Sequence, residues 1–166
     1  MFSALCLLLM FLSGMVPFST YALPALAGAM LVAVVIEVGR KVALMVYVSV
    51  AVLSLFVVPD REAAMMFIAF FGYYPILKGW IETLRSRVLE YIVKFSLFNV
   101  TIVAAYLAMT FLMGMPSVVE DMGDFGRYSA LILLFFGNIV FFMYDIALTK
   151  YITLYVRWFK PRFLRK

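Results

Sequence analysis

Six long apolar runs, each closed by a proline, a glycine or a charged residue, constrain this chain more than any other feature. A bilayer's hydrocarbon core is ~30 Å thick and takes ~20 helical residues to cross. The runs cover roughly residues 2–16, 21–38, 42–58, 63–84, 86–114 and 126–159. Pro17 and Pro59 end the first and third, and Pro24 sits in the first turn of the second, where proline is tolerated. The chain is 67% apolar and 14% charged, with a mean hydropathy of +1.09. A soluble domain is nearer half apolar and a quarter charged. The excess needs lipid to hide it. The expected fold is therefore all-α, a polytopic membrane protein of six transmembrane helices. No polar stretch is long enough to fold separately, so residues 1–166 are expected to form one integral-membrane domain.

The basic residues orient the six runs. With both termini in the cytoplasm, twelve of the fourteen lysines and arginines fall on the inner side, and only Arg61 and Arg127 lie outside. The outer turns hold Asp60, Glu62, Glu120, Asp121 and Asp124, five of the nine acids. That is the positive-inside pattern. The first run lacks a basic segment before it, and residues 17–24 match a cleavage site poorly, so it is read as a retained span rather than a signal peptide.

Several chemistries are excluded. One cysteine, Cys6, cannot form an internal disulfide, and the chain has no histidine. Common zinc sites and histidine-based triads need both or one of these. No phosphate-binding glycine loop, H-E-x-x-H or G-x-S-x-G is present. No metal, no cofactor and no enzymatic activity are expected. The formal charge of +5 lies beside apolar spans, so its partner is the membrane lipid surface rather than nucleic acid. The tail "RWFKPRFLRK" alternates aromatic and basic residues and is expected to lie on the inner membrane surface.

The stretch "FFGYYPILKGW", from Phe70 to Trp80, carries a breaker and a charge into the fourth span. Counted from the outer face, Gly72 lies ~14 Å deep, Pro75 ~18 Å and Lys78 ~22 Å. Pro75 cannot donate to the Phe71 carbonyl, so a kink is expected around Gly72 and Pro75. At that depth Lys78 is expected to snorkel to the inner headgroups, with Trp80 at the same boundary. The kink reads either as packing or as a hinge with Tyr73 and Tyr74 pointing into a site.

Spans five and six are antiparallel neighbours, and counting from their shared loop puts Lys94 and Asp145 at matching depth near the inner boundary. Asn99 and Asn138 lie ~8 Å and ~10 Å shallower. Polar groups in lipid turn inward and find partners. An ion pair of Lys94 with Asp145 and a contact of Asn99 with Asn138 are expected, as helix glue or as part of a relay. Ala25, Ala29 and Ala33, beside Gly28, form a small-residue stripe that allows close helix packing, within the bundle or against a partner.

Length, six spans, both ends inside and the alanine stripe together resemble the substrate-binding S components of energy-coupling factor transporters. "FFGYYPILK" also resembles an uncharacterised family of small bacterial membrane proteins. The first resemblance implies a multi-pass protein of the bacterial plasma membrane that binds a vitamin-like small molecule near the outer face. It implies a transmembrane coupling subunit and ATPases as partners. Ligand-lining candidates, chosen by depth and chemistry, are Tyr21, Arg61, Tyr73, Tyr74, Arg127 and Tyr128. The competing reading is a membrane scaffold or assembly protein with no ligand.

Overall fold

The structure, a computed structural model, describes residues 1–15, 19–84, 86–113 and 129–159. Among these, every regular element is helical. In chain order they are α1 (Phe2–Ser13), α2 (Ala22–Glu37), α3 (Arg40–Val57), α4 (Arg61–Met66), a π-helical turn (Phe67–Phe71), α5 (Tyr74–Ile81), α6 (Arg87–Met113), α7 (Ser129–Leu154) and a second π-helical turn (Tyr155–Phe159).

Among the described residues, four stretches are long and apolar enough to cross a membrane: Arg40–Val57, Arg61–Ile81, Arg87–Ala108 and Leu131–Arg157. The first two expected spans appear instead as shorter apolar helices of 12 and 16 residues. Local signals explain the ends. Gly39 adopts φ +105°, a backbone state that favours glycine, and so lets α2 turn directly into α3. Asp60 caps α4 by accepting from the Ala63 N–H at 3.0 Å. Glu62 sits in that first turn, where the positive end of the helix dipole favours an acid.

The broken segment Arg61–Ile81 is the inner element. Half of it is buried, against 17% for each of the other three long stretches. Helix α2 lies beside it and is apolar on all sides, as a helix packed on two faces must be. Ala27, Leu31 and Val34 join Cys6 and Met10 of α1, Ala43 and Val50 of α3, and Phe67 in one core. Val32 faces a second core built from Phe70, Tyr74, Phe98, Phe141 and Leu148. One apolar cluster thus gathers α1 and α3, and the other gathers α6 and α7. The outward faces of α3 and α7 stay apolar, with Phe56 84% and Leu131 66% exposed, which suits hydrocarbon rather than water.

The small-residue stripe turns into the bundle. Ala33 is buried, Ala25 and Ala29 are half-buried, and Ala29 packs on the second core. Gly28 backs directly onto the main-chain carbonyl of Phe71, where a Cβ would collide with that oxygen. The close approach is what a small residue permits.

Candidate functional site

The site begins with a break in a helix. Between Phe67 and Phe71 the ladder widens by one residue, and the Gly72 N–H donates to the Phe67 carbonyl at 2.8 Å. Such π turns occur frequently at functional sites. The chain then bends through Gly72 and Tyr73 and restarts at Tyr74, with Pro75 in the first turn of α5. Pro75 has no N–H for Phe71, whose carbonyl is the one facing Gly28. The widened turn has its own tether: the Tyr47 hydroxyl donates to the Ile68 carbonyl at 2.7 Å. The Tyr47 ring also meets Phe67 and Tyr73 at 6.0 Å and 6.1 Å.

Below the bend, three helices bring five charged groups together. Lys78 of α5 is completely buried. Its ammonium donates to Asp145 Oδ1, to the Asp145 carbonyl at 3.3 Å and to Glu82 Oε1 at 2.7 Å. Lys94 of α6, 2% exposed, reaches Asp145 Oδ2 at 3.1 Å, Glu82 Oε1 at 3.2 Å and Glu90 Oε1 at 2.7 Å. Tyr74 donates to Asp145 Oδ1 at 2.5 Å. The Asp145 carboxylate therefore takes three donors, one each from a phenol and two ammonium groups. Burying charge is costly unless it is paired and hydrogen-bonded, and here it is both. Glu82, with a third of its side chain exposed, connects the cluster to the surface.

Above the charges sits an aromatic cap. Phe70 stacks on Tyr74 at 4.8 Å and meets Phe98 and Phe141 edge-on at 5.2 Å and 5.6 Å. Phe98 and Phe141 stack at 4.7 Å. Further along α6 and α7, Asn99 and Asn138 exchange two amide bonds of 3.0 Å. Each spends its second N–H on the carbonyl four residues back, Phe95 and Leu134 respectively, at 2.7 Å. Both N–H groups of each amide are thereby used.

The sequence puts Lys78 at the headgroups; its burial against Asp145 corrects that reading. The stem is long enough to snorkel, but a carboxylate within reach in a low-dielectric interior is the stronger partner. Lys94 and Asp145 meet, although as part of a larger cluster than one pair. Glu82, Glu90 and the Tyr74 phenol are its unforeseen members. The spacings Lys78–Glu82 and Glu90–Lys94, each i to i+4, are the signal that could have found two of them.

The ligand-lining candidates divide. Tyr21 is exposed and donates to Glu62, next to the exposed Arg61. Tyr73 and Tyr74 lie beyond the π turn, on the order of 18 Å further along the helix. Tyr73 is half-buried against Tyr47 and Phe70, and Tyr74 belongs to the ion cluster. Arg127 and Tyr128 lie outside the described residues. Among the described residues no group of three or more acids, cysteines or histidines has metal-binding geometry.

No protein-family model, curated protein or solved structure matches this chain.

Proposed function

We propose that the chain is a six-pass membrane protein with both termini in the cytoplasm, and that it serves as the non-catalytic, solute-binding subunit of a transporter. The solute is a small, vitamin-like molecule. A coupling subunit and ATPases supply the energy, since the sequence has no phosphate-binding loop of its own. The observation that carries the reading is the discontinuity of the most buried apolar helix at Phe67–Tyr73, directly beside a buried ion cluster. Membrane transporters place substrate sites where a spanning helix is interrupted, and buried ionisable groups mark such paths. The short helices α1 and α2 cross by tilt or local thinning of the bilayer. Lysines and arginines at alternate ends support the orientation.

The test is gentle purification, identification of co-purifying proteins, and mass spectrometry of extracted small molecules. ATPase subunits with a released metabolite are the expected result. A stoichiometric partner without ATPase activity, and no metabolite, would replace the transporter reading with that of a scaffold. One observation favours the scaffold: every charge in the cluster already has a partner, as in a structural lock. Labelling of intact cells at the α2–α3 turn fixes the orientation, and reaction there from outside would reverse it.

A further inference from the structure

The end of α7 and the π turn that follows it carry a shallow groove lined by Thr149, Lys150, Thr153, Leu154 and Arg157. All five are exposed. Lys150 lies on α7 and Arg157 in the π turn that follows it, roughly 10 Å further along the axis, and both line the same groove. Among the described residues neither makes an ion pair; all five salt bridges belong to the Lys78–Lys94 cluster. The two threonines look polar but are spent. Thr149 donates to the Asp145 carbonyl and Thr153 to the Thr149 carbonyl, both at 2.9 Å. Their hydroxyls turn back onto the helix, so the floor between the two cations is largely hydrocarbon. The groove also lies at the end of the apolar stretch Leu131–Arg157. If that stretch crosses the bilayer from Leu131, Lys150 stands ~28 Å along it, at headgroup depth.

We propose that this groove holds one acidic phospholipid. Its phosphate sits between Lys150 and Arg157 against Leu154 and the threonine methyls, and its acyl chains run back past Lys150 along the exposed Ile146 and Met143 toward the bilayer core. Two cations without an ion pair among the described residues, flanking an apolar floor, fit an anionic lipid better than a free anion, which has nothing to place on the floor. The assignment rests on α7 spanning the membrane and is independent of any transported solute.

The test uses the full chain in neutral detergent, titrated with phosphatidylglycerol or phosphatidylcholine, with bound lipid counted by native mass spectrometry. A single retained phosphatidylglycerol and no retained phosphatidylcholine is the expected result. K150Q/R157Q should weaken retention about 30-fold, and K150R/R157K should preserve it. If the double variant folds poorly, K150Q and R157Q alone should each weaken retention about fivefold. K41Q/R87Q removes the same charge elsewhere and should leave binding unchanged; equal loss there would overturn the site as diffuse surface charge. Displacement of the lipid by excess inorganic phosphate would equally overturn it, as an adventitious anion site. A chain that does not span fails earlier, by not partitioning into vesicles at all.

Discussion

The Lys78 ammonium grips Asp145 twice, at the side-chain Oδ1 and at the main-chain carbonyl 3.3 Å away. One residue of α5 thus fixes both the rotamer and the backbone position of a residue on α7. Lys94 holds the other oxygen of the same carboxylate from α6 at 3.1 Å. Removing the acid leaves Lys78 with Glu82, and Lys94 with Glu82 and Glu90, but takes from both ammonium groups the most buried of their carboxylate partners. Asp145→Asn is expected to destabilise the bundle by about 1–3 kcal/mol, the cost of leaving buried donors short of a partner while Glu82 and Glu90 still balance the charge. Thermal melting in detergent measures it. Asp145→Asn and Lys78→Met remove the same bonds between α5 and α7, so the double variant should lose less than the sum of the two single losses, and strictly additive losses would show that the two residues are uncoupled.

Two glycines should respond oppositely to the same methyl group. Gly28→Ala forces a Cβ into the Phe71 carbonyl and within 3.3 Å of the Tyr144 hydroxyl, so a loss of about 1–3 kcal/mol is expected. At Gly79 an added Cβ meets only the Arg40 guanidinium, at 3.7 Å. There alanine should be neutral or stabilising by about 0.5–1 kcal/mol, because the helix gains propensity. Equal melting of the two variants would remove the close contact between α2 and the broken helix.

The Asn99–Asn138 pair predicts a non-additive cycle. Asn99→Leu alone leaves the half-buried Asn138 amide without its partner across the helices and should lower stability by about 1 kcal/mol, near the upper part of the range for bonds between membrane helices. Replacing both with leucine removes the orphan and should recover most of the loss. A double variant that melts at the sum of the single losses would contradict the reciprocal geometry.

Tyr47 anchors the widened turn through a single hydroxyl. Tyr47→Phe keeps the ring contacts and deletes the bond to Ile68, for an expected cost of about 1 kcal/mol. Amide exchange should rise in residues 67–73 before it rises elsewhere. Unchanged exchange there would mean the turn is held by packing alone.

The meeting of Asn99 with Asn138, and of Lys94 with Asp145, was legible because both pairs lie on helices that share one loop. Similar counts from that loop put Lys94 and Asp145 at matching depth, with Asn99 and Asn138 ~8 Å and ~10 Å shallower. The helix break was legible in part, through Gly72 and Pro75. The π turn was not, since Phe67–Phe71 is a plain aromatic and aliphatic run that carries no local signal for an extra residue. Lys78 was misplaced because its partner is 67 residues away, and depth alone cannot weigh a headgroup against a buried carboxylate. The lengths of α1 and α2 were overestimated for a similar reason: apolar sequence continues past the point where the backbone stops being helical.

The extra residue in the turn at Phe67–Phe71 sets an angular phase for all that follows it. One residue of an α-helix advances the side chains by on the order of 100°. Tyr74 and Lys78 thus face α7 only because the screw slipped by one step before they were reached. A helix of identical composition without that slip would aim the same tyrosine and lysine along a different meridian, leaving the Asp145 carboxylate without two of its three donors.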